Sequence, residues 1–405
     1  MTDPPDQTAR PENPWRVRLA ILILAHVVGT LHSTTVLVMA PAIKEDLGLT
    51  FAEFGLLVTA YSTGQVTGAL PAGNLTDRVG VGWALVVAHG ILIVSALTLI
   101  QATGLSLALT AMLIAGWGYS IVNPATAKGV FEAFPAARRA TAMGLKQTGV
   151  PIGGVVAAAG GSLITVVAWQ TVTLGVAIVT VLGALACLPI VERPKPRAKP
   201  AEAKRFAGFG EILRDANFNR FVGANFLYNF GQYNFFSYLT LFMRDVAMLS
   251  QELAGLCYGV AQVTSVSARL GWGAVSDFLF TGRRKGLTVA LGISAALFLA
   301  LMALVGPRYG LAAGLGLSAL LGITIASYAP LMQTMAVEAV PGRLAGSAIG
   351  YNMVGTSLGA IVAPPVFGYV IDVTASFGNG WLLTAGVVAL GVVLLGIGFR
   401  ERPAA

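Results

Sequence analysis

Gly73-Asn74-Leu75-Thr76-Asp77-Arg78-Val79-Gly80 is a short polar link between two long apolar runs, and a second copy of its frame, Gly273-Ala274-Val275-Ser276-Asp277, stands 200 residues later between two more. The repetition extends well beyond the link. Pro124, Glu132, Pro135, Gly144, Gly149 and Gly153 return as Pro330, Glu338, Pro341, Gly350, Gly355 and Gly359, all at an offset of 206. The chain therefore reads as two related halves in the same order, and the shift of six fits a longer connection from Phe278 to Lys285.

Outward from these links, apolar runs of membrane-spanning length lie near 17–41, 52–75, 83–103, 106–131, 141–166, 170–191, 219–243, 252–274, 287–306, 310–336, 346–371 and 380–399. A bilayer core takes about 20 apolar residues per helix. With 405 residues, 56% hydrophobic, 11% charged and a mean hydropathy of +0.76, the chain has too little polar surface to coat a soluble globule. The expected fold is an all-α membrane protein of twelve transmembrane helices in two six-helix parallel repeats. The expected division is a tail over 1–15, one half over 16–191, a basic linker over 192–217 and a second half over 218–401. Parallel repeats suit alternating access, with a site between the halves near mid-membrane. A tail holding Pro4, Pro5, Pro11 and Pro14 precedes a full-length first span, which reads as an uncleaved anchor.

The basic residues set the orientation. Twenty of the 26 Lys and Arg fall in the tails and in the connections on one side, against Lys44, Arg244 and Arg308 on the other. That bias predicts cytoplasmic termini in a plasma (inner) membrane. The net charge of +8 is then a topology signal and not a nucleic-acid footprint, because the basic linker is broken by Pro194, Pro196 and Pro200 and carries no aromatic binding module. Cys187 and Cys257 lie inside apolar runs, which supports neither a disulfide nor a metal site. No nucleophile–base pair, metal cluster or phosphate loop appears, so neither enzymatic activity nor a cofactor is expected.

Gly73, Asp77, Arg78 and Gly80, with Gly273 and Asp277, resemble the loop signature of the major facilitator superfamily, G-x-x-x-D-R/K-x-G, in its strong first and weaker second copies. The resemblance covers nearly all of residues 16 to 400. It implies a gating role for these residues, with the carboxylate capping a helix or pairing with an Arg across the cytoplasmic gate. The stretch from Asn123-Pro124 through Gly144, Lys146, Gly149 and Gly153 is similar to spans four and five of bacterial members that carry small organic solutes. Gly149 and Gly153, like Gly355 and Gly359, present small faces for close helix crossings. Drug exporters of the family carry an Arg where Met112 precedes Gly116 and often an Asp where His32 precedes Pro41, so these positions count against drug efflux.

Three cations fall within spans: Lys128, Lys146 and Arg269. A charge at mid-bilayer is unfavourable by about 3 kcal/mol or more. All 18 acidic residues fall in tails, loops or last helical turns, so no carboxylate is left near the centre for Lys146 or Arg269. The missing anion is read as the substrate. Arg269, four residues before Gly273, resembles the span-eight Arg of monocarboxylate transporters and the oxalate/formate antiporter, which implies contact with a substrate carboxylate. The antiporter's Lys belongs to span eleven, whereas this chain has Lys146 in span five. The alternatives are snorkelling, a pair of Arg269 with Asp277, or a pair of Lys146 with Glu132. Lys128 is expected to pair with Glu132 one turn away.

His32, followed by Ser33, Thr34 and Thr35, stands about halfway through span one and is the candidate for proton coupling; its alternative is packing, the role expected of His26 and His89. In span seven Asn225, Asn229 and Gln232 share one face, beside Tyr228, Tyr233 and Asn234. The cavity is expected to draw on Asn229, Gln232 and Tyr233, with Tyr61, Gln65, Gln262, Tyr328 and Asn352 from other spans. The function expected is secondary transport of a small organic anion, a carboxylate, by alternating access with proton symport or exchange. Efflux of an amphiphilic compound and a non-transporting sensor or assembly factor are the alternatives. The partners expected are the anion, protons and the lipid bilayer around a monomer, with no metal and no nucleic acid.

Overall fold

The computed structural model describes residues 15–191, 209–279, 283–306 and 310–401. The N-terminal tail, the basic linker over 192–208, the loop at 280–282 and Arg308 lie outside the described residues, as does the side chain of Asp277. Twelve spans follow in order: Trp15–Val38, Phe51–Val79, Val81–Ile100, Leu105–Ala133, Ala136–Gln147 continued by Gly149–Gly161, and Trp169–Ala186, then Ala216–Asp245, Gln251–Leu279, Arg284–Met302, Gly310–Ile323 continued by Ala329–Glu338, Ala345–Thr374 and Phe377–Val393. A short helix, Phe209–Arg214, precedes span seven.

Eight of the spans are long and apolar enough to cross a bilayer on composition alone. The other four, spans two, seven, eight and ten, are too polar or too interrupted, so their polar side chains need protein or a cavity to face, while span eight still exposes Leu256, Val263 and Leu270 in one apolar row. Lipid contact falls to rows such as Leu174, Ile178, Leu182 and Leu185 on span six and Ile293, Leu297 and Leu301 on span nine, all exposed at helical spacing.

Local signals position the helices. Thr50 and Glu53 form a reciprocal capping box that starts span two. The span ends at Gly80, whose φ of 83° lies in the region that favours glycine, so the last glycine of the opening motif makes the turn into span three. Within each half the repeated glycines do equivalent work. Gly149 and Gly153 lie against His26 and Thr30 of span one, while Gly355 and Gly359 lie against Val222 and Phe226 of span seven.

The halves meet tightly on only part of their length. On the face opposite the described termini, here the distal face, Gly55 packs on the backbone of Pro364 and Gly368 on that of Phe51. Both carboxylate oxygens of Asp372 accept from backbone N–H groups of the other half, Phe51 at 2.9 Å and Ala52 at 2.8 Å. Arg244 pairs with Glu45 at 2.9 Å, Thr240 donates to the Leu37 carbonyl and Gln251 to that of Val38. The Tyr238 hydroxyl sits 2.7 Å from the carbonyls of Phe51 and Pro364. These contacts reach inward as far as Thr59 with Ile361 and Gly154 with Gln262.

Among the described residues, the ion pairs of the terminal face link residues of the same half. Lys128 meets Asp77 at 2.7 Å and the Thr76 carbonyl at 3.0 Å, so its partner is the motif carboxylate and not Glu132 as the one-turn spacing suggests. Glu132 instead receives Arg18 at 3.4 Å. In the second half Arg284 pairs with Glu338 and Arg343 with Glu211.

Candidate functional site between the halves

The site is built around the interruption of span ten. Pro330 has no N–H to give the carbonyl four residues back, that of Ala326, and its ring crowds that position. The helix stops at Ile323 and resumes at Ala329. Side chains then take the freed carbonyls. Ala326 O accepts from Arg269 Nε at 3.2 Å and Nη2 at 2.8 Å, from Ser265 Oγ at 2.8 Å and from Gln232 Nε2 at 3.2 Å. Trp272 Nε1 lies 2.9 Å from both the Ile323 carbonyl and Ser327 Oγ. Ser265, Arg269 and Trp272 are spaced i, i+4, i+7, so one face of span eight is fastened to the interruption.

Span seven adds its polar face: Asn229 Nδ2 donates to Tyr328 Oη at 3.3 Å, and Asn225 Nδ2 donates to Asn352 Oδ1 at 2.7 Å. Across the cleft, Tyr119 lies within electrostatic reach of Arg269, and Tyr61 packs 6.1 Å from Tyr119, centroid to centroid. Tyr233, half-buried, neighbours Tyr61, Tyr119 and Tyr328. His26 Nε2 is 3.0 Å from Tyr119 Oη, and the charge of Lys146 acts on His26. Lys146 is wholly buried at the kink of span five, with Nζ 2.6 Å from Asn123 Oδ1. Among the described residues neither Lys146 nor Arg269 forms a salt bridge.

The arrangement thus links Arg269, Gln232, Asn229, Tyr233, Tyr328 and Tyr61 in one polar cluster between the halves, with the buried Lys146 joined to it through His26 and Tyr119. His32 is elsewhere: its Nε2 meets Thr180 of span six at 2.8 Å, beside a small internal cavity lined by Thr35, Ser95, Met112 and Thr173. Gln262 lies against Gly154 at the limit of the distal contacts, and Gln65 is half-buried at the crossing of spans two and four. Sequence reasoning missed His26, Tyr119, Asn123 and Ser265. His26 and His32 are six residues apart, which turns them about 120° from each other around the helix. Depth in the span did not decide which one faces the cleft. A usable signal was the small residue Gly149, three positions after Lys146, since close approach there brings span one and His26 alongside.

Two six-span halves, joined at one face around a cluster of polar side chains from both, define an integral membrane protein of the two-repeat carrier architecture. The chain belongs to the Major Facilitator Superfamily, whose model matches residues 21–315 and 222–405. It is 25% identical over 389 residues to the hexuronate transporter of Bacillus subtilis (strain 168), covering 91% of each chain. It is 24% identical over 409 residues to the probable galactarate/D-glucarate transporter GudP of the same organism, covering 92% of this chain and 89% of that one. The fold matches the crystal structure of a bacterial homologue of the human lysosomal transporter Spinster in its inward-facing, unoccupied conformation, with a TM-score of 0.79, 17% identity, and coverage of 98% and 100%.

Proposed function

We propose that this protein is a secondary transporter of small organic anions, and that its substrates are sugar acids. The observation that carries the reading is Arg269, a cation between the halves that has no carboxylate partner among the described residues and has its donors turned on a backbone carbonyl. A planar guanidinium engages a carboxylate with two parallel donors. Asn229, Gln232 and the tyrosines offer the alternating donors and acceptors that sugar hydroxyls need, and relatives named for hexuronate and for galactarate and D-glucarate support that class. Lys146, on the other half, supplies a second positive charge, so an anion between the halves draws both towards it.

Alternating access follows from the unequal faces. With the termini in the cytoplasm, as the basic residues direct, the arrangement described above opens inward. Import coupled to a proton is the mode we favour. Of the span-one histidines, His26 lies against Tyr119 beside the site and is the one we assign to that coupling, while His32 is turned into its own half.

Uptake and counterflow of labelled D-glucuronate and D-glucarate into proteoliposomes, with and without a pH gradient, test the reading. Arg269→Ala should lower saturable flux about 100-fold, the scale of a lost charge-assisted bidentate contact, and Lys146→Ala about ten-fold. Wild-type flux in both variants would remove the site; efflux of cationic dyes without anion flux would remove the substrate class.

A further inference from the structure

The four donor contacts on Ala326 O outnumber its two lone pairs, so they are shared and individually weakened. Three side chains from two spans therefore share one acceptor, and the sharing is unequal in consequence. Ser265 and Gln232 are neutral and buried, at 1% and 9% exposure, and they lie on the side of the cleft that packs against span ten. Arg269 is charged and half-buried, and it reaches the carbonyl with two of its five donors.

We infer that the Ala326 carbonyl is a placeholder for a substrate carboxylate, and that the interruption at Thr324–Tyr328 is a joint released when Arg269 turns to the anion. The inference rests on the anion reading of the site and adds an event to it. In the empty cleft the carbonyl partly satisfies the guanidinium, which lowers the cost of keeping an unpaired cation there. An arriving carboxylate is the stronger acceptor, because it is ionised and accepts two parallel bonds. When Arg269 leaves, Ser265 and Gln232 keep the carbonyl paired, so the exchange strands no buried polar group. At the interruption, span eight then holds span ten through the hydrogen bonds of Ser265 and Trp272, and the short helix Ala329–Glu338 gains freedom against Gly310–Ile323, which stays packed on span eight through Gly322 and Gly314. Substrate binding in the cleft thereby reaches the terminal face, where Glu338, the last residue of that helix, pairs with Arg284. Ser265 acts as a positioning residue: it contributes to affinity by making Arg269 easier to withdraw, without touching the anion.

The test is backbone amide exchange of the intact protein in lipid nanodiscs, read by mass spectrometry, with D-glucuronate as the probe and equilibrium binding of labelled D-glucuronate measured alongside. Ligand burial slows exchange elsewhere in the cleft, but the segment 323–329 should exchange about five-fold faster on binding, the scale of one lost hydrogen bond. Ser265→Ala should weaken D-glucuronate binding about five-fold and raise exchange of the same segment before any ligand is added. Saturable binding with exchange of 323–329 unchanged or slowed overturns the joint and leaves the anion site standing, and so does wild-type affinity in Ser265→Ala. Absence of saturable D-glucuronate binding to the wild-type protein overturns the sugar-acid reading and the joint with it.

Discussion

The distal and terminal faces are made from the same kinds of residue but close different gaps. At the distal face charged and polar groups reach across: Asp372 of span eleven caps the first turn of span two, and Arg244 reaches Glu45. At the terminal face, among the described residues, the repeated framework's carboxylates meet partners of their own half, Asp77 with Lys128 and Glu338 with Arg284. What distinguishes a closed gate from an open one here is therefore less the number of charges than whose backbone they address. Asp372 is a helix cap supplied in trans, and its strength depends on the two halves staying within hydrogen-bond distance.

Overpacking the distal contact should break this comparison most completely. A side chain at Gly55 meets the backbone of Pro364 and the nitrogen of Pro365, which cannot yield as a side-chain tip does. Gly55→Leu should hold the distal face apart and abolish transport. Spin labels at the exposed distal positions Val166 and Met248, one in each half, should report a longer separation than in the parent protein; an unchanged separation would show that the distal face closes without this contact. Asp372→Asn should act in the same direction but less. It keeps an acceptor and loses the charge that favours a helix N-terminus, so the distal-open population should rise about ten-fold by the same label distances.

These predictions rest on features of very different legibility. The twelve spans could be read directly, because the thickness of hydrocarbon imposes a length that each helix must meet on its own. The six-and-six division could be read from the offset of 206. Faces and partners could not. Lys128 has Glu132 one turn away and still chooses Asp77 on another span, because packing of spans two and four brings that carboxylate to 2.7 Å. The repeated prolines make the same point. Pro124 lies inside the unbroken helix Leu105–Ala133, whereas its counterpart Pro330 follows the interruption of span ten. Proline removes the same donor in both places; in span ten, Arg269, Ser265 and Gln232 are present to take the freed carbonyl. The cations at Lys146 and Arg269 were visible as charges in an apolar setting, but the acceptors that hold them, Asn123 and the Ala326 carbonyl, belong to spans that sequence spacing cannot bring together.

The smallest effect expected concerns the terminal face, and it carries a sign. Glu211, on the short helix Phe209–Arg214 before span seven, accepts 2.7 and 2.8 Å bonds from Arg343 at the start of span eleven. Those hydrogen bonds hold its carboxyl below the usual value of 4.5. A carboxylate whose folded pKa is depressed contributes fully above that usual value and loses its contribution as pH falls through the lowered one. Docking of the short helix on the second half should therefore be constant from neutral pH down to about 4.5, weaken below it, and weaken further in high salt, since the pair is exposed. Limited proteolysis near residue 209 across pH and salt would measure this, and Glu211→Gln should abolish the dependence on both. A pH response that survives Glu211→Gln would assign the docking to other contacts. Transport should change little in either case, because this pair lies within one half and does not have to part when the distal face opens.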